Sequence, residues 1–297
     1  MKITLDCIPC FLRQALEAAR MATDDPALHE QVLRDVLGMT AVLDLRNCPP
    51  VVGQQIHRRV RELTQVADPY AALKARFNHM AADMMAEQRH KIATAKSAFD
   101  MAVRLAIAGN VIDMGVNGNL EETAVRRAID DTLAEPFYGE LADFRRAIDE
   151  AERILYLADN AGEIFFDRLL IERLPVARVT LAMRGAPVLN DATRADAEAA
   201  GLANFVRIID NGSDAPGTIL DTCTAAFRRE FEKADLIVAK GQGNFETLSD
   251  VNANIYFLFK AKCPVIANHV GLPVGTHVAI RPHNRCVPMG DSKHAGI

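Results

Sequence analysis

ILYLADNAGE, the sequence of residues 154–163, joins a short apolar run to a polar turn that carries two acidic residues. The apolar run has the length of a strand that is buried on both faces. A stretch with helical spacing follows the turn. A buried strand, a polar turn and a helix in this order indicate one βα unit of a parallel sheet.

The same pattern recurs through the second half of the chain. Apolar runs rich in β-branched residues predict further strands at residues 179–183, 205–209, 236–239 and 264–267. Strands that alternate with helices favour a mostly parallel sheet with helices on both faces. We therefore predict an α/β layer sandwich over residues 149–297.

The first half of the chain, residues 1–148, shows helical rather than alternating spacing of apolar residues. Prolines stand where a helix tolerates them, at Asp25-Pro26, Pro49-Pro50 and Asp68-Pro69, and each of these pairs opens a predicted helix. Further helices are predicted around Pro9 and over residues 98–107. These features predict an all-helical bundle domain, and because no Pro/Gly/Ser linker follows it, we expect it to pack on the α/β half.

Composition excludes several classes of protein. The 297 residues include 34 Lys and Arg against 39 Asp and Glu, a net charge of −5. This balance argues against a partner that is nucleic acid or an anionic membrane. The chain has no run of 18 apolar residues, and its start, MKITLDCIPC, lacks the apolar core of a signal peptide. We expect a soluble, cytoplasmic protein.

Polar residues follow all five predicted strands. In a parallel sheet the carboxyl ends of the strands meet at one edge, where α/β proteins bind their ligands. We therefore expect one rim to collect the residues that follow the strands, which are 159–163, 184–191, 210–213, 240–244 and 268–269.

The rim residues supply two kinds of chemistry. Asp159, Asn160 and Asp191 offer hard oxygen ligands, which suit Mg²⁺, Mn²⁺ or a similar ion rather than structural zinc. Lys240 and the backbone N–H groups of residues 241–244 offer positive potential and donors for an anion. A divalent metal that faces an anion cradle predicts a phosphate site.

Motifs of other classes do not match. The turn after the first strand contains one glycine, Gly162, so a dinucleotide fingerprint is missing, and no P-loop, His-Glu-x-x-His or Gly-x-Ser-x-Gly motif occurs. Cys7 and Cys10 are open to three interpretations: partly buried thiols at a helix start, a redox pair, or part of a metal site. His269 and His277 fall in a glycine-rich region, where they either contact substrate or serve as ordinary loop histidines.

The chain resembles a known family, the metal-dependent damage-control phosphatases, also called acidic-residue-methyltransferase-like and first described as a domain of unknown function. The resemblance covers nearly the whole chain, and the Cys7–Cys10 pair is similar to the mainly prokaryotic branch. It depends on the order and spacing of CIPC at 7–10, AIAGNVID at 106–113, DNAGE at 159–163, NDAT at 190–193 and KGQGNFE at 240–246.

The resemblance implies a helical N-terminal domain on a Rossmann-like three-layer α/β/α sandwich. It also implies hydrolysis of small phosphorylated metabolites, either sugar phosphates or damaged phosphometabolites, with Mg²⁺, Mn²⁺, Co²⁺ or Ni²⁺ as cofactor. Asp159, Asn160 and Asp191 would be the metal ligands. A water oriented by the metal would attack the phosphorus, or Asp159 would attack it directly.

The remaining roles are also implied by the resemblance. Lys240 would hold the phosphate, and Glu163 would support the ligands or handle a proton. Further candidates for binding phosphate or substrate are Gly241, Asn244, Arg184, Asn110 and Asp113. Two other functions stay open at this point: an S-adenosylmethionine-dependent carboxyl methyltransferase, and a non-catalytic protein that binds a metabolite or metal.

Overall fold

The computed structural model describes residues 1–110 and 122–281. Its strands form one sheet in the order β1-β7-β6-β5-β2-β3-β4. All neighbours are parallel except β6 and β7, which are antiparallel. The strands are β1 Phe137–Tyr138, β2 Ile154–Leu157, β3 Val179–Met183, β4 Arg207–Asp210, β5 Leu236–Lys240, β6 Ile255–Lys260 and β7 His277–Ile280.

Helices precede the sheet and cover both of its faces. None of those in the described ranges is long and apolar enough to span a membrane. The helices are α1 Cys7–Ala22, α2 Pro26–Ala41, α3 Pro49–Thr64, α4 Ala71–Thr94, α5 Ala98–Ala108, α6 Glu122–Ala134, α7 Leu141–Glu150, α8 Glu163–Ile171, α9 Arg194–Ala199, α10 Ala225–Lys233, α11 Gly241–Leu248 and α12 Pro264–Val270.

The central strands are buried on both faces. In β2, Ile154 and Tyr156 enter the core formed with α4, α5, α7 and α8, whereas Leu155 and Leu157 enter the core formed with α10, α11 and α12. Successive side chains of a strand point to opposite faces, so one apolar run supplies two cores. The three-layer α/β/α architecture expected from the sequence is therefore confirmed.

Most predicted strands match the structure. The second and third strands, β2 and β3, have the predicted bounds, β5 extends one residue further to Lys240, and β4 begins at Arg207. The strand predicted at 264–267 is wrong, because this segment begins α12. Pro264 occupies the first turn of that helix, where its missing N–H costs nothing. The prediction also missed three strands, β1, β6 and β7.

Two of the three helix starts predicted at prolines are confirmed, and the third helix, α4, begins at Ala71, two residues after Pro69. Pro26 and Pro49 are the first residues of α2 and α3. The Asp25 carboxylate accepts a hydrogen bond of 2.8 Å from the Ala27 N–H, which satisfies one of the free donors at the start of α2. Proline and the capping side chain thus act together at this helix start.

The hydrophobic cores divide the chain earlier than the predicted boundary between residues 148 and 149. Helices α1, α2 and α3 share a core of their own. Helices α4, α5 and α7 instead contribute to the core on one face of the sheet, and β1 belongs to the sheet itself. Their apolar stripes match those of a bundle helix in sequence, but they pack on strands.

An ion-pair cluster fastens α3 to the α/β part of the chain. Asp214, which lies beyond β4, accepts hydrogen bonds from Gln54, Arg58 and Arg61 of α3. The Asp214 side chain is 13% exposed. Burial raises the pKa of this carboxyl, but the hydrogen bonds and the arginine charges outweigh that effect and lower it to about 2.

We expect Asp214→Asn to lower the free energy of unfolding at pH 7 by about 1–2 kcal/mol, between the values for exposed and fully buried ion pairs. The folded-state pKa lies below that of the unfolded chain, so this stabilisation is present above pH ~4 and is lost as the pH falls towards 2. Urea unfolding at pH 7 and pH 3 measures the difference. Asp221→Asn, at an exposed carboxylate nearby, is the control, and equal stability of both variants at pH 7 would contradict the prediction.

Candidate active site

The turns after β2 and β3 are bonded to each other at the carboxyl edge of the sheet. The Ala192 N–H donates to the Asp159 carbonyl at 2.7 Å, and Asn160 and Asp191 form an isolated antiparallel bridge. This backbone pairing brings together the three side chains that the sequence proposed as metal ligands. Their convergence follows from strand adjacency, since β2 and β3 are neighbours.

These three residues lie on a cleft of about 320 Å³ between the sheet rim and the N-terminal helices. Residues of α1 and α3 form one wall, and Gln242, Glu246 and Lys262 contribute to the other. Gln242 and Glu246 belong to the KGQGNFE motif, and Cys10, whose role the sequence left open, also lies on the cleft. Lys262 and Gln14 of α1 were not expected there, because no local pattern marks them and elements far apart in the chain bring them to the same place.

The backbone at Gly241 lies directly against the Asp159 carboxylate. Gly241 has a φ of 77°, and a Cβ atom at this position would overlap the Asp159 side chain. Only glycine permits both the left-handed conformation and this approach. Gly241 begins α11, and the positive end of the helix dipole there favours a negative charge.

Two amides hold a buried carboxylate beneath the rim. The Nδ2 groups of Asn110 and Asn160 donate to Glu163 Oε2 at 2.8 and 2.9 Å, and Asn160 Nδ2 also donates to Asp159 Oδ2 at 2.8 Å. Glu163 is 1% exposed. Its position agrees with a supporting role for the ligands, and the predicted approach of Asn110 to the rim is observed. Asp113, the other candidate from the helical half, lies outside the described residues.

Lys240 does not occupy the place expected of a phosphate ligand. Its side chain is completely buried, and Nζ donates to Ala106 O at 2.8 Å, Glu163 Oε1 at 2.6 Å and Asp167 Oδ1 at 2.5 Å. An ammonium group has three hydrogens, and all three are used. Lys240 is thus a buried cation below the site, because tertiary packing surrounds it with two carboxylates that the strand end alone did not reveal.

Arg184 and Asn244 are also buried below the rim rather than on the cleft. Arg184 Nε donates to Asp191 Oδ2 at 2.6 Å, and Arg184 Nη2 lies 3.8 Å from Asp159 Oδ1. Asn244 donates to the Lys240 carbonyl at 2.7 Å and accepts from Thr218 Oγ1 at 2.8 Å. In this arrangement Arg184 bridges the two candidate ligand carboxylates, and Asn244 ties the start of α11 to its neighbours.

The other polar groups predicted at the rim are dispersed. Asp210 is exposed, and its carboxylate accepts from the Gly212 N–H at 3.1 Å. Asn268 and His269 belong to α12 and are exposed. His277 is buried in β7, 3.3 Å from Glu135. Cys7 is buried at the start of α1.

The model of the damage-control phosphatase ARMT1-like domain matches residues 3–278. The chain belongs to this family. The predicted family resemblance is therefore confirmed over nearly the whole sequence.

Relatives of this ARMT1-like chain align with nearly all of its length. It is 34% identical to damage-control phosphatase PH1575 of Pyrococcus horikoshii, with 95% of this chain and 98% of the relative covered. A damage-control phosphatase of Archaeoglobus fulgidus is 36% identical, with 94% and 99% covered. The crystal structure of the P. horikoshii protein, described as a DUF89 family protein, superposes with a TM-score of 0.86 at 32% identity, covering 95% of this chain and 99% of that one.

The ARMT1-like site fits a divalent cation by its charge. In the described residues the buried network holds two cations, Arg184 and Lys240. It holds four carboxylates, those of Asp159, Glu163, Asp167 and Asp191. Burial, and then the charges of Glu163 and Asp191, raise the pKa of Asp159 well above its usual value, although Arg184 and Lys262 oppose this. A bound divalent cation would balance the excess of two negative charges.

The donor chemistry of the ARMT1-like site agrees with the charge. No group of three or more His, Cys, Asp and Glu side chains in residues 1–110 and 122–281 is arranged to hold a metal. The candidate set at the cleft consists of two carboxylates and one amide, with Asp159, Asn160 and Asp191 as its members. Such oxygen donors suit Mg²⁺ or Mn²⁺, which usually keep several waters and bind through few protein ligands.

The cleft of this ARMT1-like chain is smaller than another of its cavities. A larger open cavity, of about 600 Å³, lies at the opposite edge, near the amino ends of β2, β3 and β4. Its charged groups include the exposed Arg207, which pairs with the partly exposed Glu230 at 2.7 Å. The smaller cleft is the candidate active site because it contains the buried carboxylates.

Proposed function

We propose that this chain is a divalent-metal-dependent phosphatase that hydrolyses small phosphorylated metabolites, either sugar phosphates or damaged phosphometabolites. One observation carries the proposal: Asp159, Asn160 and Asp191 meet on the cleft above a network with surplus negative charge. The names of the P. horikoshii and A. fulgidus relatives, both damage-control phosphatases, support the reaction class. The cleft volume suits a small metabolite.

The ligand carboxylates are supported from below. Asp159, Asn160 and Asp191 would hold the metal ion, which when bound acts as a Lewis acid on a phosphate oxygen and lowers the pKa of a bound water. Arg184 holds the Asp191 carboxylate by a bond of 2.6 Å. Glu163 holds the Asn160 amide through Nδ2, so the Oδ1 atom of that amide is directed away from Glu163.

A lysine other than Lys240 lies on the cleft. Lys262 is exposed on the cleft wall, and its positive charge acts to lower the pKa of Asp159, against the larger effect of burial. We propose that Lys262 attracts the phosphate, because the three hydrogens of Lys240 are already donated below the rim. The nucleophile in this proposal is water. Attack by Asp159 itself would leave a phosphorylated protein, which mass spectrometry of a quenched reaction would detect.

Metal removal tests the proposed function. We expect chelator-stripped protein to release no p-nitrophenol from p-nitrophenyl phosphate, and single additions of Mg²⁺, Mn²⁺, Co²⁺ or Ni²⁺ to restore release. The stripped protein should remain folded at the assay temperature, since the hydrophobic cores do not depend on the site, although loss of a bound cation lowers the unfolding midpoint.

Full activity in chelator would contradict metal dependence. No release with any metal, from this ester or from a panel of sugar phosphates, would contradict a phosphatase. A shift of the unfolding midpoint by S-adenosylmethionine in that case would favour a methyltransferase, and a shift by a metal alone would favour a binding protein.

A further inference from the structure

A buried carboxylate that the proposed chemistry does not use lies below the site. Asp167 follows Glu163 by one turn of α8 and is completely buried. Its Oδ1 atom accepts from Lys240 Nζ at 2.5 Å and from the Tyr156 hydroxyl at 2.7 Å. Both donors are also completely buried. Asp167 is too deep to contact a substrate in the cleft.

The contacts of Lys240 connect Asp167 to the rim. Burial alone would lower the pKa of the Lys240 ammonium, but the charges of Asp167 and Glu163 raise it above its usual value, so Lys240 stays protonated. With one hydrogen directed to Asp167 and one to the Ala106 carbonyl, the third reaches Glu163 Oε1. The direction of the Lys240–Glu163 bond therefore depends on Asp167.

Glu163 determines the orientation of the Asn160 amide at the rim. While Oε1 is held by Lys240, Oε2 accepts from Asn160 Nδ2 at 2.9 Å. A carboxylate accepts hydrogen bonds and donates none, so the amide must present its NH₂ group to Glu163. The Asn160 Oδ1 atom then faces elsewhere. A continuous chain of bonds thus runs from Tyr156 through Asp167, Lys240 and Glu163 to Asn160.

We propose that Asp167 and Tyr156 are positioning residues, which hold Lys240 below Glu163 and thereby set the orientation of the Asn160 amide at the cation site. The effect of these residues on turnover rests on the proposed function. Their effect on cation binding does not, because it can be measured without any substrate.

Binding of Mn²⁺ to the folded protein is the first readout. We expect Asp167→Asn to raise the Kd for Mn²⁺, measured by calorimetry on chelator-stripped protein, by about 10- to 100-fold, the usual cost of losing a residue that supports metal ligands. Tyr156→Phe leaves the charge unchanged and removes one hydrogen bond, so we expect a rise of roughly 2- to 10-fold. If Asp167→Asn and Tyr156→Phe lowered thermal stability but left the Kd for Mn²⁺ unchanged, the two residues would have a purely structural role.

Turnover is the second readout. With p-nitrophenyl phosphate at saturating Mn²⁺, we expect kcat of Asp167→Asn to fall by about 10-fold or more and KM to stay within about 3-fold, because Asp167 does not reach the cleft. Glu172→Gln is the matched control. Glu172 directly follows the same helix and pairs with Arg89 and Arg168, but lies outside the network.

Values for both variants within twofold of wild type, in Kd and in kcat, would overturn the proposal. If Asp167→Asn does not fold, Tyr156→Phe decides in the same way. Wild-type protein that binds Mn²⁺ without hydrolysing any ester would contradict the proposed function, and the comparison of Kd values would still decide the positioning roles. Wild-type protein that does neither would contradict both.

Discussion

Replacing Asp159 with Asn is expected to lower kcat/KM for p-nitrophenyl phosphate by about 10³-fold. Asp159 lies on the cleft beside Asn160 and Asp191. Its negative charge is required both for attack by a metal-oriented water and for direct attack by Asp159 itself. Stabilisation by a metal is worth several kcal/mol in the transition state, and about 4 kcal/mol corresponds to ~10³ in rate. Steady-state kinetics with each divalent metal measures the effect.

The folding of this variant should be unaffected or improved. Burial, Glu163 and Asp191 all act against the Asp159 charge when no cation is bound, as the raised pKa of this group shows. The neutral amide removes that repulsion, so we expect the metal-free variant to unfold at the same urea concentration as wild type or at a higher one. A less stable variant would show that the lost activity reflects folding.

The control for Asp159→Asn is Asp210→Asn. Asp210 also ends a strand of the sheet, β4, but is exposed and does not line the cleft. We expect its kcat/KM to remain within about twofold of wild type, since exposed substitutions far from a site have small effects. Retained activity of Asp159→Asn at saturating metal would refute the proposed role of the rim.

Lys240→Met is expected to lower the free energy of unfolding by about 3–5 kcal/mol. The substitution keeps an unbranched side chain of similar volume but removes the only cation that contacts both Glu163 and Asp167 in the described structure. Both carboxylates are completely or almost completely buried, and their desolvation is then no longer compensated. Urea unfolding at pH 7 measures the loss.

Lys260→Met provides a matched control for Lys240→Met. Lys260 ends β6, the strand beside β5, and pairs with the partly exposed Glu135 at 2.7 Å. We expect a cost of about 1 kcal/mol or less. If Lys240→Met were as stable as wild type while KM alone rose, Lys240 would instead be a direct phosphate ligand, as the family resemblance implied.

Local sequence was sufficient to predict much of the fold. The apolar runs of β2 and β3 lie between polar turns and have no competing interpretation, and they match the structure. The segment at 264–267 was ambiguous because Pro264 is compatible with a strand start and with a helix start. Only the position of β6 beside β5 and β7 settles which segment joins the sheet.

Part of the candidate site was also predictable. Asp159 and Asn160 follow β2, and Asp191 lies in the loop after β3, the neighbouring parallel strand, so the topology brings them to one rim. Asp167 carried a weaker signal, its spacing of four residues from Glu163 on a predicted helix, which places both carboxylates on one face. Nothing local indicated that this face turns towards Lys240.

The sequence by itself determined the layered α/β architecture and the edge at which polar groups collect, because side-chain periodicity and the alternation of strands and helices along the chain are properties of neighbouring residues. Only the tertiary structure decided which polar groups reach the cleft and which are buried below it. Lys240 and Lys262 are both lysines near strand ends, yet one is enclosed by Glu163 and Asp167 and the other is exposed. The free energy of a charge depends on its desolvation and its partners, and both are set by elements distant in the chain.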